Sequence, residues 1–83
     1  MKKIMLSKNA NRYLAKIDKN TRNRIITAIK GLQKKPMVGD IKKLKGEMNN
    51  QMRLRVGEFR VLFEIKYDII EIIDIGARGG IYK

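Results

Sequence analysis

Three arginines alternate with apolar residues in the stretch MRLRVGEFRVLFEI, residues 52–65. This alternation predicts two short β-strands joined by a tight link at Gly57-Glu58, each strand with one face in a core. Arg53, Arg55 and Arg60 then lie together on the opposite face. Guanidinium groups are planar and always charged, so a cluster of them is suited to binding an anionic group.

A simpler interpretation exists for each of these arginines. A single arginine on a strand face is usually a solvated side chain that protects a sheet edge, and for Arg53 or Arg55 alone this interpretation is preferred. Arg60 differs, because it lies in mid-strand between Phe59 and Val61, where cross-strand neighbours crowd it.

The residue types that are missing limit the chemistry. The sequence contains no cysteine and no histidine. The first absence excludes a thiolate metal site, and the second removes the commonest metal ligand and the commonest acid–base group at neutral pH. We therefore expect neither a metal nor a cofactor.

Charge is distributed unevenly along the chain. The formal net charge is +12, and residues 1–45 contain 14 Lys and Arg against 2 Asp and Glu, whereas residues 46–83 contain 6 of each kind. A charge this large predicts a polyanionic partner, for which RNA, DNA and an acidic protein are candidates. A merely soluble basic surface is less favoured, because self-repulsion destabilises the fold.

Two helices are predicted between a first strand, Lys3–Leu6, and the arginine-bearing strands. Ser7 is the expected N-cap of the first helix. The stretch DKNT, residues 18–21, breaks the periodicity and supplies capping residues for the second helix. The second helix should end by Lys35, because Pro36 disfavours helical geometry in the residue before it. The apolar stripes that identify the two helices are Ala10, Tyr13, Leu14 and Ile17 in the first, and Ile25, Ile26, Ala28, Ile29 and Leu32 in the second.

The rest of the chain is predicted to complete a sheet. Residues 37–50 are expected to form a loop, and IIEIIDI, residues 69–75, is nearly continuous in apolar character, so burial on both faces is expected. The result is one α+β domain over residues 1–83, with element order β-α-α-β-β-β. Its last three strands form an antiparallel meander, two helices cover one face, and the other face is solvated.

Nothing in the chain indicates a membrane or an export signal. No apolar run approaches the ~20 residues of a membrane span, and the N-terminal residues lack the pattern of a signal peptide. We expect a cytoplasmic protein.

Three segments, KKLKG, RLRVGEFRVLFEI and IDIGARGGIYK, together resemble the RelE/ParE toxin superfamily of bacterial type II toxin–antitoxin pairs, and the RelE branch in particular. The resemblance spans essentially the whole chain and implies the same β-α-α-β-β-β fold. It also implies a ribosome-dependent endoribonuclease that cleaves mRNA in the ribosomal A site, and an acidic antitoxin as partner. Two alternatives remain: a ParE-like gyrase poison with the same fold, or a basic RNA-binding module without catalysis.

The resemblance also assigns roles to individual residues. It implies that arginines bind the reacting phosphate of the RNA, and that the 2′-hydroxyl of the RNA attacks this adjacent phosphate. Tyr82 would stack on a base or help to place a proton. The implied catalytic residues are Arg53, Arg55, Arg60, Arg78 and Tyr82. Basic residues elsewhere are expected to contact ribosomal RNA, namely Lys8, Arg12, Lys16 and Lys19 along the first helix and Lys42, Lys43 and Lys45 in the loop.

Overall fold

A computed structural model describes residues 1–44 and 50–77 of the chain. The elements follow the predicted α+β order, with one additional strand and a short 3₁₀ turn. They are β1 (Lys3–Leu6), α1 (Lys8–Lys16), α2 (Lys19–Lys30), the 3₁₀ turn (Gly31–Gln33), β2 (Asp40–Lys43), β3 (Gln51–Val56), β4 (Phe59–Lys66) and β5 (Ile69–Ala77).

The described strands form one mixed sheet in the order β1-β5-β4-β3-β2. The predicted antiparallel meander of β3, β4 and β5 is confirmed, and β1 joins its far edge parallel to β5. The prediction of a loop over residues 37–50 is wrong for Asp40–Lys43, which pairs antiparallel with β3. The reason is that β3 would otherwise leave an unpaired edge, and Ile41 opposite Leu54 supplies one partly buried apolar contact.

Both helices begin where the capping residues predict. The hydroxyl of Ser7 accepts a hydrogen bond from the amide of Ala10 (3.0 Å) and donates one to the carbonyl of Ile73 (2.6 Å), so the start of α1 is fixed to β5. Asp18 caps α2 by accepting from the amide of Thr21. The last α-helical residue of α2 is Lys30, within the predicted limit of Lys35.

A single core lies between the helices and one face of the sheet. Its best-buried large side chains include Ile25 of α2 and Phe63 of β4. The prediction that residues 69–75 are buried on both faces is wrong. A β-bulge leaves Ile73 without a partner in β4, and this shift places Ile75 on the same buried face as Ile70 and Ile72. The residues between them, Glu71, Ile73 and Asp74, remain partly exposed.

The arginines occupy the sheet face that the helices leave uncovered, as predicted. Cross-strand register places Arg55 directly opposite Arg60, and Arg53 opposite Leu62. None of the helices in the described part of the chain is long and apolar enough to cross a membrane.

Candidate functional site

A cavity of about 360 Å³ opens beside the turn between β3 and β4. We call it the arginine cavity, because three of its lining side chains carry guanidinium groups. It is lined by Arg24, Arg55, Gly57, Glu58, Phe59 and Arg60. Two of the three arginines, Arg55 and Arg60, were predicted from the sequence to belong to the site.

The turn geometry positions Arg60. Gly57 has φ +60°, a conformation that glycine adopts without a steric penalty, and its neighbour Glu58 completes a two-residue hairpin turn. One terminal nitrogen of Arg60, Nη1, lies 3.3 Å from the carbonyl oxygens of both Gly57 and Phe59 and donates to them. The turn therefore anchors one edge of the guanidinium group and leaves other N–H donors available for a ligand.

Arg24 was missed by the sequence reasoning. It lies on α2 next to the fully buried Ile25, and its Nη2 atom is 2.8 Å from the position that a Cβ atom would occupy at Gly57. The end of the Arg24 side chain therefore lies against the turn, where Gly57 has no side chain to displace it. The sequence carries no local signal for this contact, because it depends on how α2 packs beside the sheet.

Arg53 does not line the arginine cavity. Its side chain is only 14% exposed, and its Nη2 atom lies 3.4 Å from Oδ1 of Asp40 on β2. Its Nε atom is buried and has no hydrogen-bond partner among the described residues. The predicted cluster of three strand arginines is therefore divided, with Arg55 and Arg60 at the cavity and Arg53 held beside Asp40.

Asp40 also approaches Arg55, which is directly opposite it in the β2–β3 ladder. The distance from Oδ2 of Asp40 to Nε of Arg55 is 4.0 Å, and the Arg55 side chain is 53% exposed. An ion pair this long and this exposed contributes little to stability. Arg55 thus remains available to a stronger anionic ligand.

The uncovered sheet face is not basic throughout. Glu64 of β4 lies directly opposite Glu71 of β5, and Lys66 Nζ lies 3.6 and 3.5 Å from their carboxylates. The arginines Arg55 and Arg60 therefore lie toward the end of this face that carries the β3–β4 turn, whereas the other end carries a mixed cluster of Glu64, Glu71 and Lys66.

The other predicted site residues are dispersed. Lys8, Arg12, Lys16 and Lys19 are all exposed, and Lys16 Nζ lies 6.0 Å from the ring centroid of Tyr13. Lys42 and Lys43 are exposed on β2, where strand alternation places them on opposite faces of the sheet. Three predicted residues, Lys45, Arg78 and Tyr82, lie outside the described residues.

The arginine cavity is suited to holding phosphoryl oxygens. Arginines from two strands and one helix line it, and guanidinium groups form strong bidentate pairs with oxyanions. Glu58 is the only carboxylate among the described lining residues.

The chain is similar to known proteins in both sequence and fold. Residues 4–82 match the family model described as the ParE toxin of the type II toxin–antitoxin system, parDE. A search of curated proteins gave no match.

Solved structures with a similar fold include three RelE proteins. The RelB–RelE antitoxin–toxin complex of Methanococcus jannaschii matches with a TM-score of 0.75 at 28% identity, covering 94% of each chain. The RelE–RelB complex of Pyrococcus horikoshii matches with a TM-score of 0.78 at 22% identity, covering 95% of this chain and 97% of that one. The isolated RelE toxin of E. coli matches with a TM-score of 0.78 at 13% identity, covering 94% and 85%.

Proposed function

This chain belongs to the ParE toxin family of type II toxin–antitoxin systems, within the RelE/ParE superfamily, and from that premise we propose that it is a ribosome-dependent endoribonuclease that cleaves mRNA in the A site. The observation that carries the proposal is the pairing of Arg55 with Arg60 across the ladder at the arginine cavity. Two arginines directly opposite each other beside a turn are suited to binding a phosphate of single-stranded RNA.

The proposed reaction uses a nucleophile that the RNA supplies. The 2′-oxygen loses its proton and forms a bond to the adjacent phosphorus, while the bond from phosphorus to the 5′-oxygen breaks and that oxygen takes up a proton. The products are a 2′,3′-cyclic phosphate and a 5′-hydroxyl end. Arg60 and Arg55 would stabilise the charge that develops on the phosphoryl oxygens. The ribosome would contribute by holding the strand in line for attack.

Two further residues enter this proposal through the resemblance to RelE toxins. Arg78 would add a third contact to the reacting phosphate, and Tyr82 would stack on a base or place a proton. The variant Tyr82→Phe separates these two roles, because it keeps the ring and removes only the hydroxyl. If Tyr82→Phe retains cleavage and Tyr82→Ala loses it, the role of Tyr82 is stacking on a base. If both variants lose cleavage equally, the hydroxyl takes part in placing a proton.

The proposal is tested on ribosomes programmed with a defined mRNA. Wild-type protein should produce cuts within the A-site codon, with cyclic phosphate and 5′-hydroxyl ends. Arg60→Ala should reduce the single-turnover rate by about 10²–10³, the usual effect of removing one preorganised donor. An unchanged rate in a folded Arg60→Ala protein would refute the proposed role of the cavity.

Matched controls separate the guanidinium geometry from charge alone. Arg60→Lys keeps the charge but loses the planar fork, so it should recover only a small part of the rate. Lys3→Gln removes one exposed charge from β1, at the opposite edge of the sheet, and should cleave at the wild-type rate.

An acidic antitoxin is the proposed partner. The structures from Methanococcus jannaschii and Pyrococcus horikoshii are complexes of RelE with RelB, and the net charge of this chain is +12. A disordered acidic segment that folds on the toxin would neutralise its basic surface. Co-expression with the adjacent reading frame should yield a stable complex with an acidic protein, and recovery of a neutral or basic partner would contradict the proposal.

A gyrase poison is the second candidate, because the matching family model is that of ParE. The two activities give different signals after induction in cells. Cleaved mRNA and early arrest of translation indicate the ribonuclease, whereas broken DNA and altered supercoiling indicate the gyrase poison. Ribosome binding with neither signal would leave only a basic RNA-binding module.

A further inference from the structure

We propose that Arg24 of α2 is a substrate-binding residue that completes, with Arg55 and Arg60, a three-guanidinium site for one phosphate of single-stranded RNA. The identity of the ligand rests on the proposed function. The site itself rests on the geometry of the arginine cavity.

The backbone position of Arg24 is fixed by the packing of α2. Its neighbour Ile25 is fully buried in the core, so the backbone at residue 24 cannot shift far from the turn. Its Nη2 atom occupies the space beside Gly57 that a Cβ atom would restrict. The same cavity is lined by Arg55 and Arg60, so arginines from α2, β3 and β4 border a single space.

Electrostatics favour an anion in that space. The cavity carries three positive groups and one carboxylate, that of Glu58. Within the described residues, no carboxylate oxygen lies within 4.0 Å of a nitrogen of Arg24 or Arg60. Like charges that share one cavity repel one another, and an anion placed among them relieves the repulsion while gaining charge-assisted hydrogen bonds.

The size of the cavity indicates more than a free phosphate ion. Its volume of about 360 Å³ is near the lower end of the ~300–1,000 Å³ that is typical of small-ligand sites. Phe59, which also packs against the hydrophobic core, is one of its lining residues. The space and the lining are suited to a phosphate together with its ribose, which is the repeating unit of an RNA strand.

The alternative is that Arg24 is an ordinary solvated side chain on the polar side of α2. The two interpretations differ in the affinity of the isolated protein for RNA. A solvated side chain contributes only to the general positive field, as any other surface charge does. A binding residue donates hydrogen bonds to the RNA phosphate, and these bonds are lost when the residue is replaced.

The test uses the full-length protein and a trinucleotide with 2′-O-methyl riboses, which cannot be cleaved because it lacks the nucleophile. Arg24→Gln should weaken binding about tenfold or more, as expected for loss of a hydrogen bond to a charged group. Arg24→Lys, which keeps the charge, should give an intermediate affinity. Lys3→Gln, which removes one charge at the far edge of the sheet, should change the affinity by less than about twofold.

The outcomes distinguish this inference from the proposed function. Equal affinities for wild type and a folded Arg24→Gln protein would overturn the inference, as would equal losses in Arg24→Gln and Lys3→Gln. If binding depends on Arg24 but programmed ribosomes yield no mRNA cleavage, the binding site stands and the ribonuclease proposal fails. If cleavage depends on Arg60 while Arg24→Gln binds and cleaves normally, the ribonuclease proposal stands and the inference fails.

Discussion

The carboxylate of Asp40 lies 3.4 Å from Nη2 of Arg53, although Asp40 is directly opposite Arg55 in the β2–β3 ladder. The diagonal neighbour is therefore the closer partner. Arg53 is 14% exposed and Arg55 is 53% exposed. Two arginines that the sequence presents as an equivalent alternating pair thus have different environments, and we expect them to have different roles.

Arg53 should matter more for stability than Arg55. Arg53→Ala removes a largely buried side chain and the closer partner of Asp40, so the free energy of unfolding should fall by about 1–3 kcal/mol. Arg55→Ala removes an exposed group with a long ion pair, and the change should stay within about 0.5 kcal/mol. Urea denaturation of the two variants measures the difference.

A control isolates the contribution of the ion pair. Asp40→Asn removes the carboxylate but keeps the strand, so its effect on stability should be smaller than that of Arg53→Ala. Equal stability of the Arg53→Ala and Arg55→Ala proteins would show that the burial of Arg53 is of no energetic consequence.

The basic residues of α1 should control the salt dependence of ribosome binding. The exposed side chains of Arg12 and Lys16 are expected to contact phosphates without reading the RNA sequence. The double variant Arg12→Gln/Lys16→Gln should lower the slope of log affinity against log salt by roughly 0.7–0.9 for each contact that is lost. A titration of ribosome binding between low and physiological salt measures this slope.

A charge-matched pair gives the comparison. Lys34 and Lys35 are exposed in the connection that follows α2, and Lys34→Gln/Lys35→Gln removes the same two charges. In this variant the affinity for ribosomes should fall less, and the salt slope should change less, than in Arg12→Gln/Lys16→Gln. Identical behaviour of the two double variants would mean that net charge, not the α1 surface, controls binding.

Asp18 should make the stability of α2 depend on pH. Hydrogen bonds from the side chain and then the amide of Thr21 lower the pKa of Asp18 below its ordinary value of 3.8. A carboxyl group with a lowered pKa in the folded state stabilises the protein fully above the ordinary pKa, and this contribution is lost as pH falls through the lowered value. Asp18→Ala should therefore lower the melting temperature at neutral pH, and the gap to wild type should narrow in acid.

Asp18→Asn separates the cap from its charge. Asparagine is an equally good N-cap but does not titrate. Its melting temperature should differ from that of wild type by an amount that depends on pH, and it should exceed that of Asp18→Ala at neutral pH. A constant gap between wild type and Asp18→Ala from neutral pH down to strong acid would contradict the assigned shift.

The features that the sequence predicts correctly are encoded locally. Helix starts follow from Ser7 and Asp18 because each cap bonds an amide three residues ahead. The β3–β4 hairpin follows from the alternation of apolar residues and arginines around the Gly57 turn. By contrast, β2 contains only one apolar residue facing the core, Ile41, and it forms because β3 offers an open edge at a distance in sequence.

The candidate site was predictable only in part, because some of its contacts join residues that are distant in sequence. Arg55 and Arg60 face each other because strand register places them so, and register follows from the turn. Arg24 approaches the Gly57 turn through the packing of a helix, and Arg53 lies beside Asp40, which belongs to the unpredicted strand β2. Neither contact leaves a periodic or spacing signal in the sequence.

Gly57 should link the stability of the turn to ligand binding. Its φ of +60° costs a residue with a side chain about 1–2 kcal/mol. A Cβ atom there would also lie 2.8 Å from Nη2 of Arg24, so the end of the Arg24 side chain must move. Gly57→Ala should therefore both lower the melting temperature and weaken binding of the 2′-O-methyl trinucleotide.

A double-mutant cycle tests whether the second effect acts through Arg24. If the alanine methyl group weakens binding by displacing the Arg24 guanidinium, then Gly57→Ala should change the affinity little in a protein that already carries Arg24→Gln. The loss of melting temperature should persist in the double variant, because the strain at residue 57 does not depend on Arg24. Fully additive losses of affinity would instead mean that the turn acts on Arg60 directly, through the carbonyl of Gly57 that accepts its hydrogen bond.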